Sequence, residues 1–304
     1  MQEPAVATAP GANALAARDM LRPRMSRMRK LRRLARTKPL GVIGLVLVLV
    51  VGLSSVFAGV LTQFGPTELA SGTLQKPSGT HWFGTDDFGR DVFSRVLYGG
   101  QVSLRVGFFA VVAGLTAGTL LGLISAYRGG WLDLILQRFV DALMAFPTLV
   151  LALAIVAALG SSQRNVVIAI AVAIAPNISR VVRSSVFAIR EEQYVEAARS
   201  IGVSDWRIMA RHILPNIVGP LIVVGTAYFG SAIVTEAALS FVGLGVPPPN
   251  PSWGNMMSGS ARTYITVAWW MAFFPGLALS LLVFGVNLIG DTLRDVLDPR
   301  MRER

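Results

Sequence analysis

Six long apolar runs, separated by polar intervals of very different character, organise the chain. Gly41 to Leu61 holds 21 residues without a charge, and about 20 apolar residues in a helix span the hydrocarbon layer of a bilayer. Val56-Phe57-Ala58 inside it faintly resembles a signal-peptidase site. The run is longer than the roughly 7–15 residues of a signal core, however, and more runs follow, so a retained helix is expected. Val106 to Tyr127 is the second run. The third is Asp141 to Leu159, with Pro147 near its start as the expected bend. Asn165 to Ile189 is the fourth, and Pro176-Asn177 is expected to interrupt it midway and free a carbonyl there. Ile217 to Val246 and Ala268 to Ile289 complete the set. The pattern predicts an all-α polytopic membrane protein with six transmembrane helices.

The interval between the fourth and fifth runs, residues 191–216, is polar and carries charges of both signs. Glu191 to Ile201 fits a short helix, and Gly202 supplies the backbone freedom of a sharp turn. Ser204 suits the N-cap of a second helix, with Asp205 in its first turn favoured by the dipole. Trp206, Met209 and Ile213 fall at i, i+3 and i+7 and form one apolar stripe. Pro215 is expected to stop this helix. Ala197, Ala198 and Gly202 carry so little side chain that another surface can come close. An amphipathic linker resting on lipid headgroups fits the composition equally well.

Residues 62–105 form the longest polar interval between runs, read as an external loop. Gly84 and Gly89 mark turns, and an amphipathic helix follows with Val92, Phe93, Val96 and Leu97 on its apolar side. Asp86, Asp87 and Asp91 lack the order of acids and the closing Glu of a calcium loop, so a structural network with Arg90 and Arg95 is expected. The second run carries Ala110, Gly114, Gly118, Gly122 and Ala126, a small residue at every fourth position. In lipid such a strip is a close-packing face for another helix. Trp131 to Asp141 is amphipathic, with Asp133, Gln137 and Asp141 at i, i+4 and i+8, and is read as an interfacial lead-in. Asp141, Asn177 and Glu236 are candidates for a pathway or gate, because polar and ionisable groups inside spans are so often functional. For Glu236 a salt bridge between helices is the competing reading.

Composition and charge sharpen this picture. The 304 residues are 53% hydrophobic and only 15% charged. There is no cysteine, hence no disulfide scaffold or thiolate metal site. His81 and His212, the only histidines, fall on opposite expected sides of the membrane, so no metal is expected. The net charge of +11 is not spread as a nucleic-acid face would be. Of 28 Lys and Arg, ten precede the first run (Arg18, Arg22, Arg24, Arg27, Arg29, Lys30, Arg32, Arg33, Arg36, Lys38). Six more (Arg180, Arg183, Arg190, Arg199, Arg207, Arg211) flank or occupy the central interval, and Arg294, Arg300, Arg302 and Arg304 close the chain. The positive-inside rule then places both termini and residues 191–216 in the cytoplasm, with lipid headgroups under the basic N-terminal segment.

Glu196-Ala197-Ala198, then Gly202, then Ile213-Leu214-Pro215 resembles the EAA loop of binding-protein-dependent ABC importer permeases. Six fixed residue types at roughly 5–10% each agree by chance in fewer than about one in 10^6 windows. HWFGTDDFGRDVFSRVLYGGQVSL (His81 to Leu104), LSFVGLGVPPPNPSWG (Leu239 to Gly254) and the DTLRDVLDPRMRER tail are similar to the dipeptide/oligopeptide/nickel branch of that family. The resemblance covers roughly residues 38–300.

It implies a MetI-like permease core in a bacterial or archaeal cytoplasmic membrane, importing peptides from an external or periplasmic substrate-binding protein by alternating access. A second homologous permease subunit and two ATPase subunits are the implied partners, with ATP and Mg bound there and no cofactor in this chain. Nickel, glutathione and oligosaccharides are the alternative cargoes of that branch. Glu196, Ala197, Ala198, Gly202, Trp206, Met209, Ile213, Leu214 and Pro215 would couple to the ATPase. Gly84, Thr85, Asp86, Gly89, Arg90, Asp91, Ser94 and Arg95 form the matching external motif. Gly114, Gly118 and Gly122 remain packing residues.

The expected organisation is a basic, partly disordered cytoplasmic tail over 1–38, a first transmembrane helix over 39–61 and the external loop with its amphipathic helix over 62–105. A five-helix core over 106–290 contains the cytoplasmic coupling loop 191–216, and a cytoplasmic tail over 291–304 ends the chain. Lys30, Lys38 and Lys76 follow Arg29, Thr37 and Gln75, so no Gly-Lys phosphate loop exists and no catalytic role is expected. An ion-coupled secondary transporter is the rival class. It would more often show repeated halves, and no internal repeat is found.

Overall fold

A computed structural model of the chain describes residues 38–70 and 72–297. The basic segment before Lys38 and the last residues of the tail, including Arg300, Arg302 and Arg304, lie outside the described residues. Among the described residues five helices are long and apolar enough to cross a membrane, or six if one bent pair counts as a span. Helix α1 (Pro39–Val56) and the short α2 (Ala58–Leu61) open the bundle, and α3 (Val92–Arg128) is its longest helix.

Helix α3 corrects the expected division at residue 105. The amphipathic helix and the second span are one uninterrupted helix of 37 residues. Continuity is possible because Arg95, expected in a network with the acids of its loop, is buried among oxygen partners. Its guanidinium lies 3.4 Å from Asp86 and donates to the Pro66 carbonyl at 2.7 Å. Gly100 fits the same crowding, since a Cβ there would lie 2.8 Å from the Trp253 ring.

 
 Helices α4 (Gly130–Met144) and α5 (Thr148–Leu159) stand where the third span was expected, and the two helices meet at 90°. The bend falls at Ala145 to Pro147, where the proline ring disfavours helical backbone at Phe146. The 12 residues of α5 rise only about 18 Å, too little to cross the hydrocarbon layer alone. The charged lead-in is not a free interfacial helix either. It is tied to α6 (Gln163–Arg190) by Asp133–Arg183 and Asp141–Arg180 pairs, each 2.6 Å.

Helix α6 also runs unbroken through Pro176, contrary to the expected interruption, with that ring buried. After α7 (Gln193–Ser200) comes α8 (Asp205–Ile208), a π-helical turn over Met209–Ile213, and α9 (Leu214–Phe241). These last three form a single path of 37 residues. Pro215 therefore does not stop the helix. The π turn absorbs it: the Leu214 N–H reaches back five residues to the Met209 carbonyl, widening the backbone just before a residue with no N–H to give. Two one-turn helices, α10 (Trp253–Met256) and α11 (Ser260–Thr263), precede α12 (Trp270–Leu297).

The main core joins α3, α5, α6, the 195–217 segment and α9 through Val106, Ile170, Ile174, Ile178, Ile208, Ile213 and Leu239. Its centre is the glycine strip. A Cβ at Gly114 would lie 2.5 Å from Ile174 Cγ1, and one at Gly118 would lie 2.7 Å from the Ala175 carbonyl oxygen. One at Gly122 would meet Val182 Cβ at 2.9 Å. The missing side chains are what let α3 and α6 lie against each other. Around this core the long helices expose Val46, Val50, Phe108, Phe109, Leu120 and Phe284, side chains suited to lipid.

Candidate functional site

The 191–213 segment is built from its glycine outward. Gly202 has φ +79°, and its N–H donates to the Arg199 carbonyl at 3.0 Å while the Val203 N–H donates to the Ala198 carbonyl at 3.1 Å. Those two bonds are the closure of a left-handed helix stop with glycine at its required position. The spacing from Ala198 to Gly202 is thus a backbone requirement. Ser204 takes the expected N-cap place with extended backbone, but its side chain makes no capping bond.

The segment has two faces. Val195, Ala198, Ile208, Met209, Ile213 and Ile217 are buried in the main core. Glu196, Ala197, Gly202 and Pro215 are exposed, and Leu214 is half-buried. Ile201 at the tip is 81% exposed and Trp206 is 66% exposed. The expected Trp206/Met209/Ile213 stripe is therefore split. Ile208 points into the core, and Trp206, two residues earlier, lies about 200° around the helix from it. Trp206 instead borders an apolar cavity of ≈ 370 Å³ with Leu115, Leu120, Leu123, Met209 and Leu221. An apolar tip rimmed by Glu196, Arg199 and Arg207 has the make-up of a docking surface.

At the opposite end, residues 72–91 fold around Asp86. Its Oδ1 accepts the N–H groups of Phe88 and Arg90, both at 2.9 Å, and its Oδ2 takes Arg90 Nε at 2.7 Å. Asp91 caps α3 by accepting the Ser94 N–H at 2.8 Å, and its other oxygen lies 2.9 Å from His81 Nδ1. Thr85 Oγ1 donates to the Gly72 carbonyl, and the Thr85 carbonyl accepts Trp270 Nε1 at 3.1 Å. Gly84 (φ +75°) and Gly89 (φ +81°) take the left-handed turns of this fold. A cavity of ≈ 350 Å³ opens beside it, lined by Asp87, Arg90, Ser240, Asn250 and Asn255. Among the described residues no group of three His, Asp or Glu is placed to hold a metal ion.

The pathway candidates are not brought together. Asp141 is exposed and paired with Arg180, and half-buried Asn177 lies one turn before that arginine on α6. Glu236 is at the other end and 0% exposed. Its partners are hydroxyls, Ser103 at 2.8 Å and Ser240 at 2.7 Å, where an ion pair was the competing expectation. Ser103 reaches Glu236 across from α3, and Ser240 bonds it from one turn further along α9 itself. Ser103→Ala should lower the melting temperature of the purified protein by a few degrees, because one hydrogen bond to a carboxyl group contributes roughly 1–3 kcal/mol. An unchanged melting curve would contradict this role for the cluster.

Sequence reasoning missed several pairings. Trp253 is fully buried, and its Nε1 donates to the Val96 carbonyl at 2.9 Å. The Tyr127 hydroxyl donates to Asp205 Oδ1 at 2.9 Å. Nothing in local periodicity signals contacts between residues this far apart in the chain.

Residues 118–303 match the family described as binding-protein-dependent transport system inner membrane component. The chain is 49% identical over 264 residues, 86% of either length, to the dipeptide transport system permease protein DppC of Alkalihalophilus pseudofirmus. It is 46% identical over 226 residues to the glutathione transport system permease protein GsiD of Pectobacterium atrosepticum, covering 74% of this chain and 75% of that one. In fold it is similar to a chain of the MetNI methionine ABC transporter in inward-facing conformations, with TM-score 0.54 and 18% identity over 67% of this chain and 96% of that one.

Proposed function

Because the chain belongs to the family of binding-protein-dependent transport system inner membrane components, a multi-pass group of the cytoplasmic membrane, we propose that it passes di- or oligopeptides inward as one permease subunit of an ATP-driven importer. The observation that carries this reading is the two-faced 191–213 segment, its inner side locked in the core and its apolar tip bare.

In this reading the segment faces the cytoplasm and is gripped by an ATPase subunit that holds the nucleotide and magnesium. A second, related permease completes the gate, and an external binding protein delivers the cargo. ATPase closure drives the gripped segment inward. Since Val195, Ala198, Ile208 and Ile213 are packed with α3, α6 and α9, the helices follow and the cavity turns outward. Hydrolysis resets the inward-facing state.

The test is reconstitution in vesicles with the ATPase subunits, the second permease and the binding protein. Dipeptide uptake that requires ATP and the binding protein is expected, and uptake without nucleotide would contradict the proposal. Identity to the glutathione permease gives a second cargo reading, decided in the same vesicles by whether glutathione or a dipeptide is accumulated.

A further inference from the structure

We infer that Tyr127 is the pin through which the 191–213 segment moves α3, and that α3 is the rod carrying this motion to the far end of the bundle. The inference deepens the importer reading and rests on it. Helix α3 has 37 residues and is therefore about 55 Å long, enough to reach from one end of the bundle to the other. Tyr127 lies in its last turn and is only 6% exposed.

Both arms of the gripped segment converge on this one side chain. From α8, Asp205 Oδ1 accepts the Tyr127 hydroxyl at 2.9 Å, and its other oxygen lies 4.0 Å from Arg128 Nε. From α7, the Arg199 guanidinium lies 5.8 Å from the centre of the Tyr127 ring. Arg190, at the end of α6, donates to the Ala126 carbonyl at 2.9 Å, one residue from the pin. Apolar contacts between the segment and α3 are non-directional and allow sliding. A hydrogen bond to a fixed carboxylate sets one register.

The far end of α3 is held just as specifically. Ser103 bonds Glu236 on α9, the Val96 carbonyl takes the indole N–H of Trp253, and Asp91 at the N-cap binds His81. A displacement of Tyr127 along the helix axis therefore reaches the residues around the cavity at that end. The role is one of positioning: Tyr127 touches neither cargo nor nucleotide.

The experiment measures peptide imported per ATP hydrolysed by the full complex in vesicles, for Tyr127→Phe, Asp205→Asn and the double variant. Tyr127→Phe keeps the ring, and water can reach Asp205 once the hydroxyl is gone, so co-purification with the ATPase should stay near wild type and the melting temperature should fall by no more than a few degrees. Import per ATP should fall about tenfold in each single variant, the scale of one hydrogen bond to a charged acceptor, and no further in the double. Wild-type coupling in either single variant, or effects that multiply in the double, would overturn the pin. So would loss of assembly in both single variants, which would assign the pair to folding. Wild-type import is measured first, so that a failure of the importer reading shows as no ATP-dependent uptake at all.

Discussion

Replacing Gly118 with leucine is expected to abolish the folded complex. Even a methyl group at this position would lie 2.7 Å from the Ala175 carbonyl oxygen and 2.7 Å from Ile178 Cβ, both on α6. The neighbours are backbone and a branched side chain at its root, so neither can turn away. Overpacking in a well-packed core costs roughly 1–3 kcal/mol for added methylenes, and a leucine adds three carbons beyond the methyl group that already collides. Gly118→Ala should fold with a clearly lowered melting temperature, and Gly118→Leu should give no monodisperse protein in detergent. Gly52→Ala is the control, since nothing lies within 4 Å of its added carbon. Normal assembly and import in Gly118→Leu would show that α3 and α6 do not pack as described.

Gly202→Val should uncouple import from ATP hydrolysis while the protein still inserts and assembles. Space is not the obstacle, because nothing lies within 4 Å of a Cβ at Gly202. The obstacle is the backbone at φ +79°, which a residue with a side chain occupies at a penalty of roughly 1–2 kcal/mol and a β-branched one less readily still. Valine would shift the turn, and with it the angle between α7 and α8. Import should fall about tenfold or more. The order of severity identifies the cause. Strain predicts Val worst, Ala intermediate and Asn mildest, since asparagine tolerates this conformation. If Asn were as harmful as Val, bulk on the docking face and not backbone geometry would be responsible.

Much of this molecule was readable before any coordinates. The apolar runs located the long helices, and the four-residue repeat of small side chains located the packing face of α3 though not its partner α6, because both signals are set by the environment along a single helix. The interval between Ala198 and Gly202 is likewise a local rule of helix termination. What could not be read depends on partners distant in the chain. Arg95 was expected to pair with the acids of its loop, but its carbonyl partner Pro66 lies 29 residues away, and the burial that lets α3 run on through it was not readable. Asp133 and Asp141 suggested an interfacial helix because their partners, Arg183 and Arg180, lie on α6. Pro215 signals a stop under ordinary helical geometry, and only a π turn makes it a passenger. That same path turned Trp206 outward although its spacing matched Met209 and Ile213.

The central claim is that the tip around Ile201 is gripped by the ATPase on the cytoplasmic side. The chain has no cysteine, so Ile201→Cys gives a single reactive thiol at a position 81% exposed. Cross-linking of this thiol in the assembled, reconstituted complex is the most direct measurement. A covalent product with the ATPase subunit, weakened or shifted by nucleotide, is the result expected. Labelling of the thiol only by reagents added outside intact cells, with no ATPase product in an assembled complex, would contradict it.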